Sequence, residues 1–237
     1  MFEELIIDHA KSHPHEEVCG FVLLEDNLEI KIEPAKNESP KPRECFSISP
    51  LKFIDYKLSK NILGIYHSHP ITTERPSKRD MDSSEESGIP YLIYSLKTKK
   101  FFLYYPESYE PSPLLQRPHV KAFYECTCIL KDYFKKVLDI NISKWNRNYW
   151  LPEAYTASND LLLKILNKNM LPKKDKSIKK HDVIVFQVKP NQRFHVGIYT
   201  GSDQFIHQPA LLLSKKETLD NRWQNKIKYI YRHPSLV

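Results

Sequence analysis

The sequence predicts a two-domain α+β chain, and three observations carry that expectation. Apolar residues run at helical and then at strand spacing twice over, once before and once after a proline-rich break around residues 106–118. The chain has 237 residues, enough for two separate cores at roughly 150 residues or fewer per domain. Hydrophobic residues make up 41% and aromatic ones 12%, too apolar a balance for a disordered tail.

Each element follows in order. Phe2, Leu5, Ile6 and His9 sit at helical spacing, and Pro14 ends that helix. Residues 20–24 read as a buried strand, 28–32 as its alternating partner, and Glu25-Asp26-Asn27 as the turn between them. A further short strand is expected at Cys45–Ile48. Ser49 followed by Pro50 is a helix start, with the helix running to about Lys60. Residues 62–69 then read as a strand, Ser77 caps a short helix that Gly88 ends, and 91–96 and 100–105 are aromatic strands. Pro106, Pro111, Pro113 and Pro118 without periodicity give a semi-rigid linker. The second part opens on a helix at 123–138, passes through a Trp- and Tyr-rich loop, adds a helix near 161–165, and closes on strands at 182–188, 194–200, 204–207 and 227–232. The expected division is 1–107, linker 108–118, and 119–237.

Composition removes several function classes. The first residues carry acids where a secretory signal needs bases, and no apolar run approaches the roughly 20 residues that cross a bilayer, so membrane insertion and classical export are not expected. Cys19, Cys45, Cys126 and Cys128 are too irregular for a disulfide framework or paired zinc knuckles, so reduced thiols are expected. A net charge of +7 favours an anionic partner. The lysine-rich 173–180 stretch lacks interleaved aromatics, which argues for a solvated loop and against nucleic acid.

Two constellations carry chemistry. His67-Ser68-His69 ends a strand, where residues i and i+2 share a face about 6.6 Å apart and can converge on one ion. Asp80 falls in the first turn of the helix that Ser77 starts, which can bend back over the strand end. Two histidines and a carboxylate leave the fourth zinc position to water. Glu17 is the candidate general base, and Ser77 the donor to a developing oxyanion. A bare His-x-His is more often a surface pair, and a structural zinc closed by Cys19 is the other alternative. The whole pattern, Glu-x-x-Gly ahead of a buried strand and then His-x-His-Pro-x6-Ser-x2-Asp, resembles the JAMM (MPN+) metallopeptidase family over about residues 1–105. The resemblance implies an MPN-like layer fold and one catalytic Zn2+ on His67, His69 and Asp80.

In the second part, Cys126 falls at a helix start, where unpaired N–H groups and the helix dipole favour a thiolate. Folding 194–207 as a hairpin centred on Gly201 sets His195 opposite His207, so one imidazole can orient the other. That is the logic of a Cys-His-polar triad, although an isolated cysteine on a helix is usually an inert core thiol. Glu125-Cys126, the apolar strand, His-Val-Gly-Ile-Tyr-x-Gly and a polar residue twelve positions after the histidine resemble the NlpC-type papain-like peptidases of bacterial cell walls. The family's Asp-Cys-Ser-Gly is replaced here by Glu125-Cys126-Thr127-Cys128, and its Gly-Asp before the first strand by His181-Asp182. Cys128 is expected to pack, not to react.

The order of the two domains, with Cys126 to Tyr133 and the ending from Trp223 to His233, resembles tail-tip assembly proteins of lambda-like bacteriophages. The resemblance implies two peptidase heads, a cysteine endopeptidase acting on peptidoglycan peptides and a zinc-dependent isopeptidase or peptidase. It also implies phage tail-tip proteins as partners, synthesis in the host bacterial cytoplasm and a place at the virion tail tip. A non-catalytic assembly or plug protein is the rival reading. A deubiquitinase-like enzyme would leave the second domain unexplained.

Overall fold

Strand alternation and proline-marked breaks produce two sheets, one in each of two units. The computed structural model of the chain describes residues 2–142, 147–148, 159–189 and 194–237. One unit runs to Glu110 and takes in the strand at 147–148; the other begins at Pro111 and runs to Val237. The expected Trp- and Tyr-rich loop lies almost entirely outside the described residues. Among the described residues no helix is long and apolar enough to cross a membrane.

The first unit is a six-stranded sheet in the order β2-β1-β3-β4-β5-β6. Its strands are β1 (Cys19–Leu24), β2 (Ile30–Ala35), β3 (Asn61–His69), β4 (Tyr91–Ser95), β5 (Lys100–Tyr104) and β6 (Arg147–Asn148). All neighbours pair antiparallel except β3 and β4, which are parallel. A parallel pair needs a crossover, and α3 (Lys78–Ser87) supplies it. Its N-cap is Ser77 and its C-cap is Gly88 at φ 71°, the left-handed conformation that glycine adopts without steric penalty. Helix α1 (Phe2–Ser12) buries Ile6 and Ala10. Helix α2 (Pro50–Ser59) packs Phe53 and Tyr56 on a core of Phe21, Leu23, Ile65 and Ile93.

Two sequence expectations are corrected here. Cys45–Ile48 is not a strand but a segment held by Asn37, whose amide donates to the Cys45 carbonyl and whose oxygen accepts from Ser47 N. Asn37 side-chain bonds thus satisfy the backbone that a ladder would have satisfied. The second strand begins at Ile30, later than expected, because Leu28 takes a positive φ of 67° in the turn.

Gly20 is required by close approach. A β-carbon there would stand 2.6 Å from Tyr66 Cε1 and would collide with the Glu33 carbonyl oxygen, since β1 lies between β2 and β3 with the Tyr66 ring across it. Gly20→Ala is therefore expected to lower stability by about 2 kcal/mol or more, read as a lower urea midpoint. An unchanged midpoint would mean that β1 and Tyr66 can part freely.

The second unit holds a six-stranded antiparallel sheet in the order β11-β10-β9-β8-β12-β7. The strands are β7 (Leu171–Pro172), β8 (Val183–Phe186), β9 (His195–Gly201), β10 (Gln204–His207), β11 (Lys215–Thr218) and β12 (Ile227–Arg232). Helix α4 (Cys126–Leu138) packs against β9, and with α5 (Asn159–Asn169) it closes a core containing Ile129, Phe134, Leu166, Val185, Val196 and Ile198. Alternate residues of the same strands face a second cluster of Ile184, Phe186, Phe205 and Leu219, against which the short α6 (Asn221–Gln224) lays Trp223.

His181 stands where the NlpC resemblance has glycine, and its φ is +74°. That is a backbone conformation that favours glycine, and here Asp182 and Tyr133 anchor the turn. Tyr133 Oη lies 2.8 Å from His181 Nδ1, and the buried Asp182 carboxylate accepts from Arg232 at 2.6 Å and from Lys173 at 3.0 Å.

Candidate functional sites

The first site forms at the carboxyl end of β3. Alternation along the strand turns both His67 and His69 inward, and their Nε2 atoms stand 3.1 Å apart. His67 is fully buried, with its ring stacked on Phe46 at 4.6 Å and edge-on to Tyr91 at 5.6 Å. His69 Nδ1 lies 2.6 Å from the Thr73 carbonyl oxygen. A carbonyl can only accept, so Nδ1 carries a proton, and whenever the ring is neutral its lone pair is on Nε2, facing the site.

Asp80 approaches both rings, Oδ1 at 3.3 Å from His67 Nε2 and Oδ2 at 3.4 Å from His69 Nε2. It also completes a capping box: Ser77 N and Ser77 Oγ each donate to Asp80 Oδ2 at 2.7 Å, while Asp80 N donates to Ser77 Oγ at 3.2 Å. The Ser77 hydroxyl proton is thus directed at Asp80, so donating to an oxyanion would require it to rotate. Glu17 is fixed from its backbone, with its N–H donating to the Pro42 carbonyl and its carbonyl accepting from Asn37. Its Oε1 lies 3.9 Å from His69 Nε2, and its buried Oε2 has no hydrogen-bond partner among the described residues.

The donor set suits a divalent cation. Two ligands about 2.0–2.1 Å from a tetrahedral zinc stand roughly 3.3 Å apart, close to the separations among His67, His69 and Asp80. The metal-type cluster whose atoms all lie within 4.8 Å of one another is Glu17, His67 and His69. Asp80 is nevertheless the shorter contact to both rings, which makes Glu17 the outer group. Burial raises the Glu17 pKa to about 7, opposed by the charge of His69. Asp80 is held well below the carboxylate range: burial pushes it up, and the His67 and His69 interactions and the Ser77 hydrogen bond outweigh that.

In the second unit the sequence-predicted residues arrive by different routes. Cys126 is the first residue of α4, half-buried and packed against the core that includes Ile129 and Val196. Cys128 is buried, and its thiol donates to the Ala122 carbonyl at 3.2 Å. None of the four cysteines is in a disulfide. His195 begins β9 on the face that carries Phe186 and Trp223, and its Nε2 lies 2.7 Å from His207 Nδ1.

The expected register is corrected. His207 pairs with Gly197 rather than with His195, because the hairpin turns at Ser202 and Asp203, both at positive φ, and carries an irregularity between Gln204 and Phe205. The slip moves the partner by an even number of residues, so both rings keep the same face and meet diagonally.

A third group completes the set, and sequence reasoning missed it. Glu217 Oε2 lies 3.0 Å from His207 Nε2. Its carboxylate also accepts from Arg222 at 2.9 Å, from Trp223 Nε1 at 3.1 Å and from Lys215 at 3.0 Å. Glu217 sits in Lys-Lys-Glu-Thr, a short strand without apolar alternation, so the only signal was its place ten residues after His207.

Burial lowers the His195 pKa to about 3, with His207 adding and Glu217 opposing, and burial lowers His207 to about 4 against Glu217. Burial would raise Glu217, but hydrogen bonds from Trp223 and Lys215 outweigh it and bring the carboxylate to about 2. Unfolded histidines titrate near 6.5. Between about 4 and 6.5 the unfolded chain therefore holds more protons, and stability falls as pH drops through that window. The Glu217 contribution is lost only lower, between about 4.5 and 2. The urea midpoint is expected to fall from pH 7 to 4.5, and less steeply in His207→Gln; equal slopes would mean that the pair does not carry the effect.

Comparison with known proteins finds two families along the chain. Residues 2–105 match the family of prokaryotic homologs of the JAB domain, and residues 118–232 match the NlpC/P60 family. The chain is similar to tail tip assembly protein K of Escherichia phage N15, 24% identical over 233 residues, covering 97% of this chain and 93% of that protein. It is also similar to desampylase of Haloferax volcanii, 27% identical over 101 residues, 38% of this chain and 73% of the other. Among solved structures, protein DSY2949 from Desulfitobacterium hafniense is 30% identical and covers 43% of this chain and 78% of its own, with a TM-score of 0.33.

Proposed function

From a chain that is an MPN-like JAB domain followed by an NlpC/P60 domain, we infer a phage tail-tip assembly protein with two peptidase heads. One head is a cysteine endopeptidase acting on peptidoglycan peptides, and the other is a zinc-dependent peptidase or isopeptidase. The reading is supported above all by one observation: in each unit, histidines and a carboxylate carried by different elements are linked by contacts of 3.3 Å or less. We take 1–107 and 119–237 as the two heads and 108–118 as the connection.

In the cysteine head, His195 takes the proton from Cys126 while His207 holds the imidazole in place. The thiolate attacks a peptide carbonyl, and backbone N–H groups at the start of α4 hold the oxyanion. The protonated His195 then gives its proton to the leaving amine, and water releases the acyl group. In the other head, His67, His69 and Asp80 would hold zinc, which when bound supplies Lewis-acid activation of water and carbonyl. Glu17, beside His69 and outside the closest contacts, carries the proton from water to the leaving amine. Thr73 keeps His69 in the ligating tautomer through its carbonyl.

The test is digestion of purified peptidoglycan by the full chain, with soluble products read by mass spectrometry. Released peptides are expected, and their masses name the bond. If no peptide is released at micromolar protein, the cysteine-head reading fails and the non-catalytic tail-tip reading replaces it.

A further inference from the structure

We propose that Glu217 is a positioning residue of the cysteine site, the far end of a one-way hydrogen-bond chain that sets which nitrogen of His195 is the base. The catalytic meaning of this assignment rests on the peptidase reading of that site; the hydrogen-bond order does not.

The argument starts at the carboxylate. An ionised Glu217 can only accept. Two cations, Arg222 and Lys215, and the Trp223 indole donate to it alongside His207, and this favours the ionised form. His207 Nε2 must therefore carry a hydrogen, and the neutral ring then has its lone pair on Nδ1. At 2.7 Å from that lone pair, His195 Nε2 must be the donor. The lone pair of neutral His195 is consequently on Nδ1, the ring nitrogen left to receive the thiol proton. Each step fixes the next, and without Glu217 the direction would be open: with two imidazoles alone, either could donate.

The surroundings are built for this purpose. Glu217 lies diagonally from His207, since its own register partner is Phe205 while Lys215 stands opposite His207. Helix α6 is capped by Asp220, whose carboxylate accepts from Trp223 N, and this holds Trp223 and Arg222 over the carboxylate. Asp220 lies 3.9 Å from Arg222, and Lys226 lies 5.0 Å from the centre of the Trp223 ring. The indole in turn packs against both histidines, with ring centres 5.4 Å from His207 and 6.2 Å from His195. Removing the carboxylate charge while keeping its shape, as in Glu217→Gln, gives His207 Nε2 an amide that can donate. The order can then reverse and place the His195 proton on Nδ1, where it blocks proton transfer from Cys126.

The experiment uses the full chain at pH 7 and reads histidine tautomers by two-bond proton–nitrogen correlation. Wild type is expected to show Nε2–H on both His195 and His207; Nδ1–H on His207 would overturn the proposal without any variant. Glu217→Gln is expected to change the His195 pattern and, on peptidoglycan peptides, to lower kcat on the order of 10²-fold with little change in KM. Glu217→Asp, which keeps the acceptor, is expected to restore most of it. An unaltered His195 tautomer in Glu217→Gln would also overturn the proposal. If wild type cleaves nothing yet the tautomer order stands and reverses in Glu217→Gln, the hydrogen-bond chain holds and it is the peptidase reading that fails.

Discussion

Cys126→Ala is expected to reduce release of peptides from peptidoglycan by roughly 10³-fold or more, because the proposed mechanism gives covalent attack to the Cys126 thiolate alone. Cys126 is half-buried at the first position of α4, so losing its sulfur should cost little stability. Cys128→Ala is the control that separates the two thiols. It deletes a fully buried sulfur bonded to the Ala122 carbonyl and should lower the unfolding midpoint while leaving cleavage in place. The opposite pattern, with cleavage surviving in Cys126→Ala and vanishing in a folded Cys128→Ala, would reassign the nucleophile. His67→Ala should release the same peptides as wild type, since its site lies in the other unit.

The second large effect is on metal content. His67→Ala and Asp80→Ala are each expected to take the purified chain from about one zinc per molecule to near none, measured by elemental mass spectrometry after exhaustive dialysis. Each removes a group within 3.4 Å of the His69 Nε2 atom. Asp80→Ala should in addition weaken α3 by about 1 kcal/mol, because Ser77 N and Oγ both lose their acceptor. Glu17→Gln, at the outer position, should keep its zinc. Full metal content in His67→Ala would mean that the ligands are wrongly assigned.

The two sites were legible in the sequence to different degrees, for local reasons. His67, His69, Ser77 and Asp80 depend on strand alternation and on helix-cap chemistry, both of which act within a few residues, so spacing could set them on one strand end and one helix start, and the resemblance of the whole motif joined them into a site. The His195–His207 contact depends on where a hairpin turns. Gly201 suggested one centre, but Ser202 and Asp203 form the turn, and the error left no trace in the contact only because it was even. Glu217 arrives on an edge strand of charged residues that carries no hydrophobic period, so nothing local announced it. The Cys45–Ile48 segment erred the other way: it has the composition of a strand, but the long-range bonds of Asn37 hold it as a loop.

The parallel pairing of β3 with β4 sends the chain from the carboxyl end of β3 through α3, so that His67, His69 and Asp80 meet just beyond that strand end. The connection from β3 to α3 is the lip of this first site. That lip is tied down at Thr72, whose carbonyl accepts from Ser95 Oγ, and at Thr73, which orients His69, while Ile71 between them and the strand is 71% exposed. The same stretch thus holds one contact that the histidines depend on, at Thr73, and one side chain that they do not, at Ile71. Ile71 can therefore vary while β3 still presents both imidazoles and α3 still presents the carboxylate, whereas a change that moved the Thr73 carbonyl would release His69.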